Sequence, residues 1–416
     1  MSKNPSTRAA VPAAGRGEPD SSRRNNLALL LSLLHHHGVL SRAQLTRQSG
    51  LNRSTISGLI GQLVRLGLVF ETAPSGEQRV GRPSPDVHPN QATAALALNP
   101  EVDAVTIGLV GLGGTVIKKI RYEMEHTPTA REAVNIAAAV IAGMRAELDA
   151  SYRIAGAGIA VPGLVSTADG VVRRAPNLGW ENEPIAAMLA DATGFPSRAA
   201  NDASLGAEAE LIFGAGAGLR NLIYLNGGAS GIGGGIIANG GLLTGAGGYA
   251  GELGHTFVRT DGQACHCGAS GCLETEVAQS RLFGLLGSSG GEAGQLEEAL
   301  KASTDPAVRA EVRRQLGYLA IALRNVVNVL NPEAIVLDGF LGAIYALAPQ
   351  ELDLTVAEQP MTEPAVQVRV SRAALGSNLM MIGAAELAFA GLLADPAGYF
   401  RPHLPRTASA APERRT

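Results

Sequence analysis

The chain has 416 residues, 46% of them hydrophobic and 17% charged, the balance of a soluble globular protein with room for two or three domains. With no run of eighteen uncharged apolar residues, no apolar core in the opening stretch and an odd count of three cysteines, it is expected to have no spanning helix, secretory signal or disulfide framework, and to be cytoplasmic. The net charge of −3 hides an asymmetry: residues 1–90 carry eleven Lys/Arg against five Asp/Glu, leaving 23 basic and 32 acidic residues elsewhere.

A basic head on an acidic body predicts that the head meets a polyanion, the plainer alternative being a solvated basic tail. Residues 1–24, rich in Pro, Gly, Ser and Arg, are expected to be disordered. Leu27, Leu30, Leu31 and Leu34 then form the stripe of an amphipathic helix ending at Gly38. The run His35-His36-His37 is expected on the exposed end of that helix, because adjacent residues cannot converge on a metal from one helical face. Ser41 and Asn52 are placed to cap two further helices, with Gly50 in the turn between them and Leu45, Ile56 and Leu59 where those helices touch.

Two short helices around a tight turn predict a helix-turn-helix. "VFETAPSGEQRVGRPSP" adds two strands around Ser75-Gly76, the wing of a winged helix-turn-helix over residues 25–88. The outer face of the second helix offers Arg53, Ser54, Thr55 and Ser57 to operator DNA, and the wing offers Arg79 and Arg82. A plain helical hairpin is the alternative for the helix pair alone.

From residue 92 the texture turns α/β. Three strands with turns at Pro100–Asp103 and Gly113-Gly114 precede a long helix, a strand and a Pro-Gly turn. A second round begins near residue 221 with the glycine-rich hairpin "NLIYLNGGASGIGGGIIANGG". Two such βββαβα units resemble the two-lobed, ribonuclease H-like fold of the sugar kinase, actin and Hsp70 superfamily, an actin-like ATPase fold. The division expected is a first lobe over 92–202 plus 376–398, a second over 203–375, and a disordered tail over 399–416.

The motifs "VPGLV" (161–165), "NDAS" (201–204), "GIGGGI" (231–236), "GELGH" (251–255) and "CHCGASGCLE" (265–274), in that order, resemble the ROK family of repressors, open reading frames and kinases. With the winged head ahead of them, the likeness is to its xylose-, N-acetylglucosamine- and glucose-responsive repressors. The resemblance implies a sugar pocket at Asn201, Asp202, Glu252, His255 and Glu274. Carboxylates suit that task, since a vicinal diol can donate to both oxygens of one group. For Asp202 taken alone, a helix N-cap is the plainer reading.

A family kinase needs a DxGxT phosphate loop after its first strand. Here that turn is "LNPEVD" (98–103), without glycine, and the family's second-hairpin GTG is "NGGASG" (226–231). No catalytic residue is therefore assigned. The alternative is an ATP-dependent sugar kinase with an appended DNA-binding head. A protein effector is a third possibility, and a homodimer or homotetramer is expected.

The three cysteines have a second reading as small buried hydrophobes. A CxC followed by a further Cys, with a histidine upstream, instead suits tetrahedral zinc held by His255, Cys265, Cys267 and Cys272 in a structural site. Gly268 and Gly271 let the loop curl, and His266, between two ligands, is expected to point away.

Overall fold

The computed structural model describes residues 19–74, 84–288, 290–291, 293–350, 352 and 368–400. The head contains α1 (Pro19–His37), α2 (Arg42–Ser49) and α3 (Arg53–Arg65). Ser41 caps α2 in a reciprocal box with Gln44, and the Asn52 side chain accepts from Thr55 N–H at the start of α3. Each cap satisfies an amide that the first turn leaves orphaned. Gly50 ends α2 at φ +71°, a left-handed geometry that a Cβ would strain. Leu27, Leu30, Leu31 and Leu34 bury against Leu45, Ile56, Leu59 and Leu63.

Strands β1 (Leu40–Ser41), β2 (Val69–Thr72) and β3 (Asp86–Pro89) form a sheet in the order β1-β3-β2. β2 and β3 pair antiparallel from Val69↔Pro89 to Thr72↔Asp86, the base of the expected wing. Helix α1 starts at Pro19, inside the stretch expected to be disordered. Arg23 anchors its early turns by donating to Gln62 Oε1 on α3 at 3.1 and 3.0 Å.

The body begins with β4 (Thr93–Pro100), β5 (Ala104–Gly111), β6 (Thr115–Glu123), α4 (Ala130–Ser151) and β7 (Arg153–Val161). A meander of β8 (Leu164–Ser166), β9 (Val171–Ala175) and β10 (Trp180–Glu183) leads to α5 (Ile185–Thr193), β11 (Ser197–Asn201) and α6 (Asp202–Phe213). The second lobe has β12 (Leu222–Gly228), β13 (Gly231–Ala238), β14 (Gly241–Leu242), α7 (Leu273–Glu276), α8 (Gln279–Leu285) and α9 (Ala293–Ala302). It continues with α10 (Pro306–Leu330), β15 (Ala334–Asp338), α11 (Gly339–Leu347) and β16 (Arg369–Arg372), before α12 (Leu379–Ala394).

The two main sheets run β11-β7-β4-β5-β6 and β14-β13-β12-β15-β16. Both follow one plan, with the first strand antiparallel to the second and parallel to the fourth. This is the repeat that the two rounds of strands predicted. Gly376–Ala394 is the one stretch among the described residues long and apolar enough to cross a membrane. It holds α12, which packs on β4, β7 and α6 as a core helix of the first lobe.

Head and body share one core, in which the α1 leucines meet Ala95, Ala97 and Phe389. The histidine run departs from expectation here. His35 is fully buried, His36 half-buried and only His37 exposed. The end of α1 faces the β5–β6 turn and α12 instead of solvent: His35 Nδ1 accepts from Gly113 N–H at 2.9 Å. Phe213, the last residue of α6, lies edge-on to both His35 and His36. At the other end of the chain, Tyr399 donates to Ala155 O and Arg153 sits 3.5 Å over the Phe400 ring. The first lobe therefore holds two residues of the segment expected to be a disordered tail.

Candidate functional site

On the head, Arg53, Ser54 and Ser57 are exposed on α3 and Thr55 is half-buried. The Ser54 hydroxyl donates to Asn52 Oδ1 at 2.7 Å. Ser57 Oγ accepts from Arg42 at 3.0 Å, and Arg42 also makes a bidentate pair with Glu71 of β2 at 2.6 and 2.7 Å. Arg42 thus ties α3 to β2, a role that spacing along the sequence does not reveal. Arg79 and Arg82 lie outside the described residues.

In the loop between β14 and α7 the four expected metal-binding side chains come together. The donor atoms of His255, Cys265, Cys267 and Cys272 all lie within 4.8 Å of one another. Cys267 Sγ is 3.7 Å from Cys272 Sγ, and Cys265 Sγ is 3.6 Å from His255 Nδ1. A tetrahedron with metal–sulfur bonds of about 2.3 Å and metal–nitrogen bonds of about 2.0 Å has edges of about 3.8 and 3.5 Å, so the spacing fits. Burial pushes the Cys265 and Cys272 thiols up, a cost that a bound cation would offset. Gly271 lets the loop close at φ +76°, where a Cβ would stand 1.9 Å from Arg259 O. The buried Glu276 accepts from Gln263 N–H and pairs with Arg259 and Arg314, fastening the loop to α10.

His266 does not point away. Its Nδ1 is 3.2 Å from Glu274 Oε1, and its ring lies edge-on to His255 with centroids 5.2 Å apart. The chain folds back through an Ala264↔Ser270 bridge, which turns the residue between the two cysteines toward the cleft. His255, Cys265, His266 and Glu274 consequently form a second, overlapping group with ligand spacing.

Between the lobes lies a cleft of about 1140 Å³ that takes in the β4–β5 turn, the β12–β13 hairpin, His266 and Glu274. Glu274 Oε1 is 3.3 Å from His255 Nδ1, while His255 Nε2 is 4.0 Å from Glu252. Burial raises the Glu252 carboxyl, with Asp202 and Glu274 adding to the effect, so these acids are electrostatic neighbours. Burial lifts Asp202 to about 6, with a smaller contribution from Glu101. The helix cap is Asn201, not Asp202: Asn201 Oδ1 accepts from Ser204 N–H while its amide donates to Gly163 O. Asp202 occupies the first position of α6, its carboxylate accepting from Ala203 N–H at 2.8 Å. Asn177 donates across the cleft to Ser230 O at 2.6 Å, a link between the lobes that the sequence did not signal.

Comparison with known proteins places this arrangement. The ROK family model matches residues 99–390 and the IclR helix-turn-helix domain matches residues 25–71. A xylose repressor of Bacillus spizizenii is 27% identical over 88% of this chain and 95% of its own length. The DNA-binding transcriptional dual regulator NagC of Escherichia coli is 27% identical over 78% of this chain and 82% of its own. A glucokinase of Thermotoga maritima is 31% identical, over 56% of this chain and 78% of its own.

Among solved structures, a ROK family transcriptional regulator described as a homolog of the E. coli MLC protein has the same fold. Its TM-score is 0.72 at 24% identity, covering 89% of this chain and 98% of that one. A Streptomyces griseus ROK glucokinase in complex with glucose and AMPPNP gives 0.61 at 25% identity, covering 72% and 100%. The family match spans well over half of the chain and joins both lobes, the histidine–cysteine loop and the cleft: the chain belongs to the ROK family, with a helix-turn-helix head ahead of the family domain.

Proposed function

We propose that the chain is a sugar-responsive transcriptional repressor that binds operator DNA through α3 and the wing and reads a sugar beside the cleft. The observation that carries this is the meeting of Glu252 and Glu274 at His255, with Asp202 an electrostatic neighbour of Glu252, in a chain whose head is docked on the first lobe. Acceptor-rich carboxylates suit hydroxyl donors, and the exposed Arg53 on α3 suits phosphate or a base edge. The likeness to the xylose repressor and to NagC supports both halves of the reading.

One structural zinc per chain is part of the proposal, held by His255, Cys265, Cys267 and Cys272. His255 would be shared, with Nδ1 toward the metal and Nε2 toward Glu252 and the sugar. A homodimer or homotetramer would present two heads to a palindromic operator. The kinase reading has glucokinase relatives in its favour, but the turn where a phosphate loop belongs carries Glu101 and Asp103, which repel phosphate.

The deciding experiment is operator release measured against a panel of monosaccharides, beside a coupled ATP assay on the same panel. Release by one sugar without turnover is expected. Turnover near that of family kinases would defeat the repressor reading, and release by a protein alone would replace the sugar with a protein effector.

A further inference from the structure

We infer that the cleft admits an uncharged sugar and rejects its phosphate ester, so that the chain reports the substrate of a sugar-phosphorylating step and not the product. This rests on the sugar reading above and adds the charge class of the ligand. Among the described residues the cleft lining holds six carboxylates, Glu101, Asp103 and Asp338 among them, against three Lys/Arg side chains. A phosphate needs donors that are not already neutralised.

Two of the three cations are paired with carboxylates and the third is hydrogen-bonded to a backbone carbonyl. Arg121 donates to Glu101 and, at 3.1 Å, to Asp103. Arg372 holds Glu297 at 3.2 and 2.6 Å. The Lys119 ammonium donates to Ser377 O. His266 faces Glu274 in the same way.

Backbone amides are the other source of anion binding in such a cleft, and the lining includes the β12–β13 turn and the first residues of α9 and α12. The start of α11 is there too, but its cap residue is Asp338, whose carboxylate already takes the Tyr224 hydroxyl at 2.8 Å. That helix end therefore carries its own negative charge. Glu101 and Asp103 stand on the β4–β5 turn, and Glu101 is close enough to Asp202 to raise its carboxyl. A phosphate carried into the cleft on a sugar held at Asp202 would enter a lining that includes these two carboxylates. A neutral sugar avoids the conflict, because its hydroxyls need acceptors, which this surface supplies in excess.

The test is calorimetric titration of the full chain with D-xylose, D-glucose and N-acetyl-D-glucosamine, each beside its terminal phosphate ester. For whichever sugar binds, the ester should bind at least about a hundredfold more weakly. The Glu101→Gln/Asp103→Asn double variant removes two negative charges from the cleft lining and should narrow that gap about tenfold. Asp103→Asn alone, at a side chain 66% exposed and so tolerant of change, should narrow it in the same direction. An ester that binds as tightly as its parent sugar overturns the inference and leaves the sugar reading intact. A gap that neither variant narrows overturns the role given to Glu101 and Asp103. If no sugar and no ester binds, the sugar reading fails and takes this inference with it.

Discussion

His35 Nε2 lies 2.7 Å from Glu386 Oε1, a buried pair that joins the DNA-binding head to the last helix of the first lobe. Because His35 Nδ1 accepts from Gly113 N–H, the neutral ring carries its proton on Nε2 and donates it to Glu386. The same tautomer leaves no lone pair on Nε2 for a metal, although His35, His36 and Glu386 have ligand spacing. His35→Ala strands a buried amide and a buried carboxylate and opens a cavity. It should cost about 3 kcal/mol in denaturant unfolding, with His35→Gln recovering part of the loss. An unchanged midpoint would show that the pair contributes nothing to docking.

Beside this pair, burial lifts the Glu208 carboxyl to about 7, with Glu386 adding to the effect. A carboxyl raised on folding contributes most when protonated, so its contribution is full below the ordinary carboxylate range and declines as pH rises toward 7. Glu208→Gln should therefore stabilise the chain by about 1–2 kcal/mol near pH 8 and do little near pH 4. His36, lowered to about 4 by burial, runs the other way, its contribution full above 6.5 and lost as pH falls toward 4. Melting curves of parent and variant across this range separate the two trends. Equal melting temperatures for the two proteins near pH 8 would remove Glu208 from the account.

Arg53 and Arg42 predict different failures on DNA. Arg53 is exposed on α3, so Arg53→Ala should weaken operator binding and flatten the log–log salt slope by about one unit. Arg42 is spent on Glu71 and Ser57. Arg42→Ala should weaken binding by loosening the wing while leaving the salt slope in place. Parent-like binding by Arg53→Ala would remove α3 from the interface.

The two overlapping ligand groups in the histidine–cysteine loop can be told apart by metal content. With His255, Cys265, Cys267 and Cys272 as ligands, Cys272→Ser should lose the zinc and His266→Ala should keep it. Elemental analysis of freshly purified variants checks this, and the reverse pattern would move the metal to His266 and Glu274.

Asp202→Asn keeps the shape of the side chain and removes an ionised acceptor. Effector affinity should fall about tenfold to a hundredfold, with operator affinity in the absence of sugar unchanged. The parent's affinity should also weaken as pH falls through about 6, where the Asp202 carboxyl takes up its proton. Titrations across pH that show no inflection in the parent would place the sugar elsewhere.

What the sequence made legible was local. The leucine stripe of α1, the Ser41 and Asn52 caps and the Gly50 turn are each set within a few residues, and periodicity finds them. The shared sheet plan was legible because the central strands, such as AVTIGLVG of β5 and AIVLD of β15, are short apolar runs set off by turn residues. The burial of His35 was not, because its partners Gly113 and Glu386 are 78 and 351 positions away. His266 was misplaced because spacing alone gives its neighbours and not the fold-back at Ala264↔Ser270. Arg42, Asn177 and Glu276 were missed for the same reason: each is an ordinary polar residue until a distant element arrives beside it.

Helix α6 has one end among the acids and the other against the head. It opens at Asp202 and, twelve residues long, closes at Phe213, whose ring lies edge-on to His35 and His36. At 1.5 Å per residue it is a rod of about 18 Å. Pivoted at Asp202, a tilt of about 10° would sweep Phe213 through about 3 Å, as far as the donor–acceptor separation of one hydrogen bond. Packed on α12 and β13 along its length, α6 is one continuous element running from the acidic cluster to the end of α1, the helix on which the head docks.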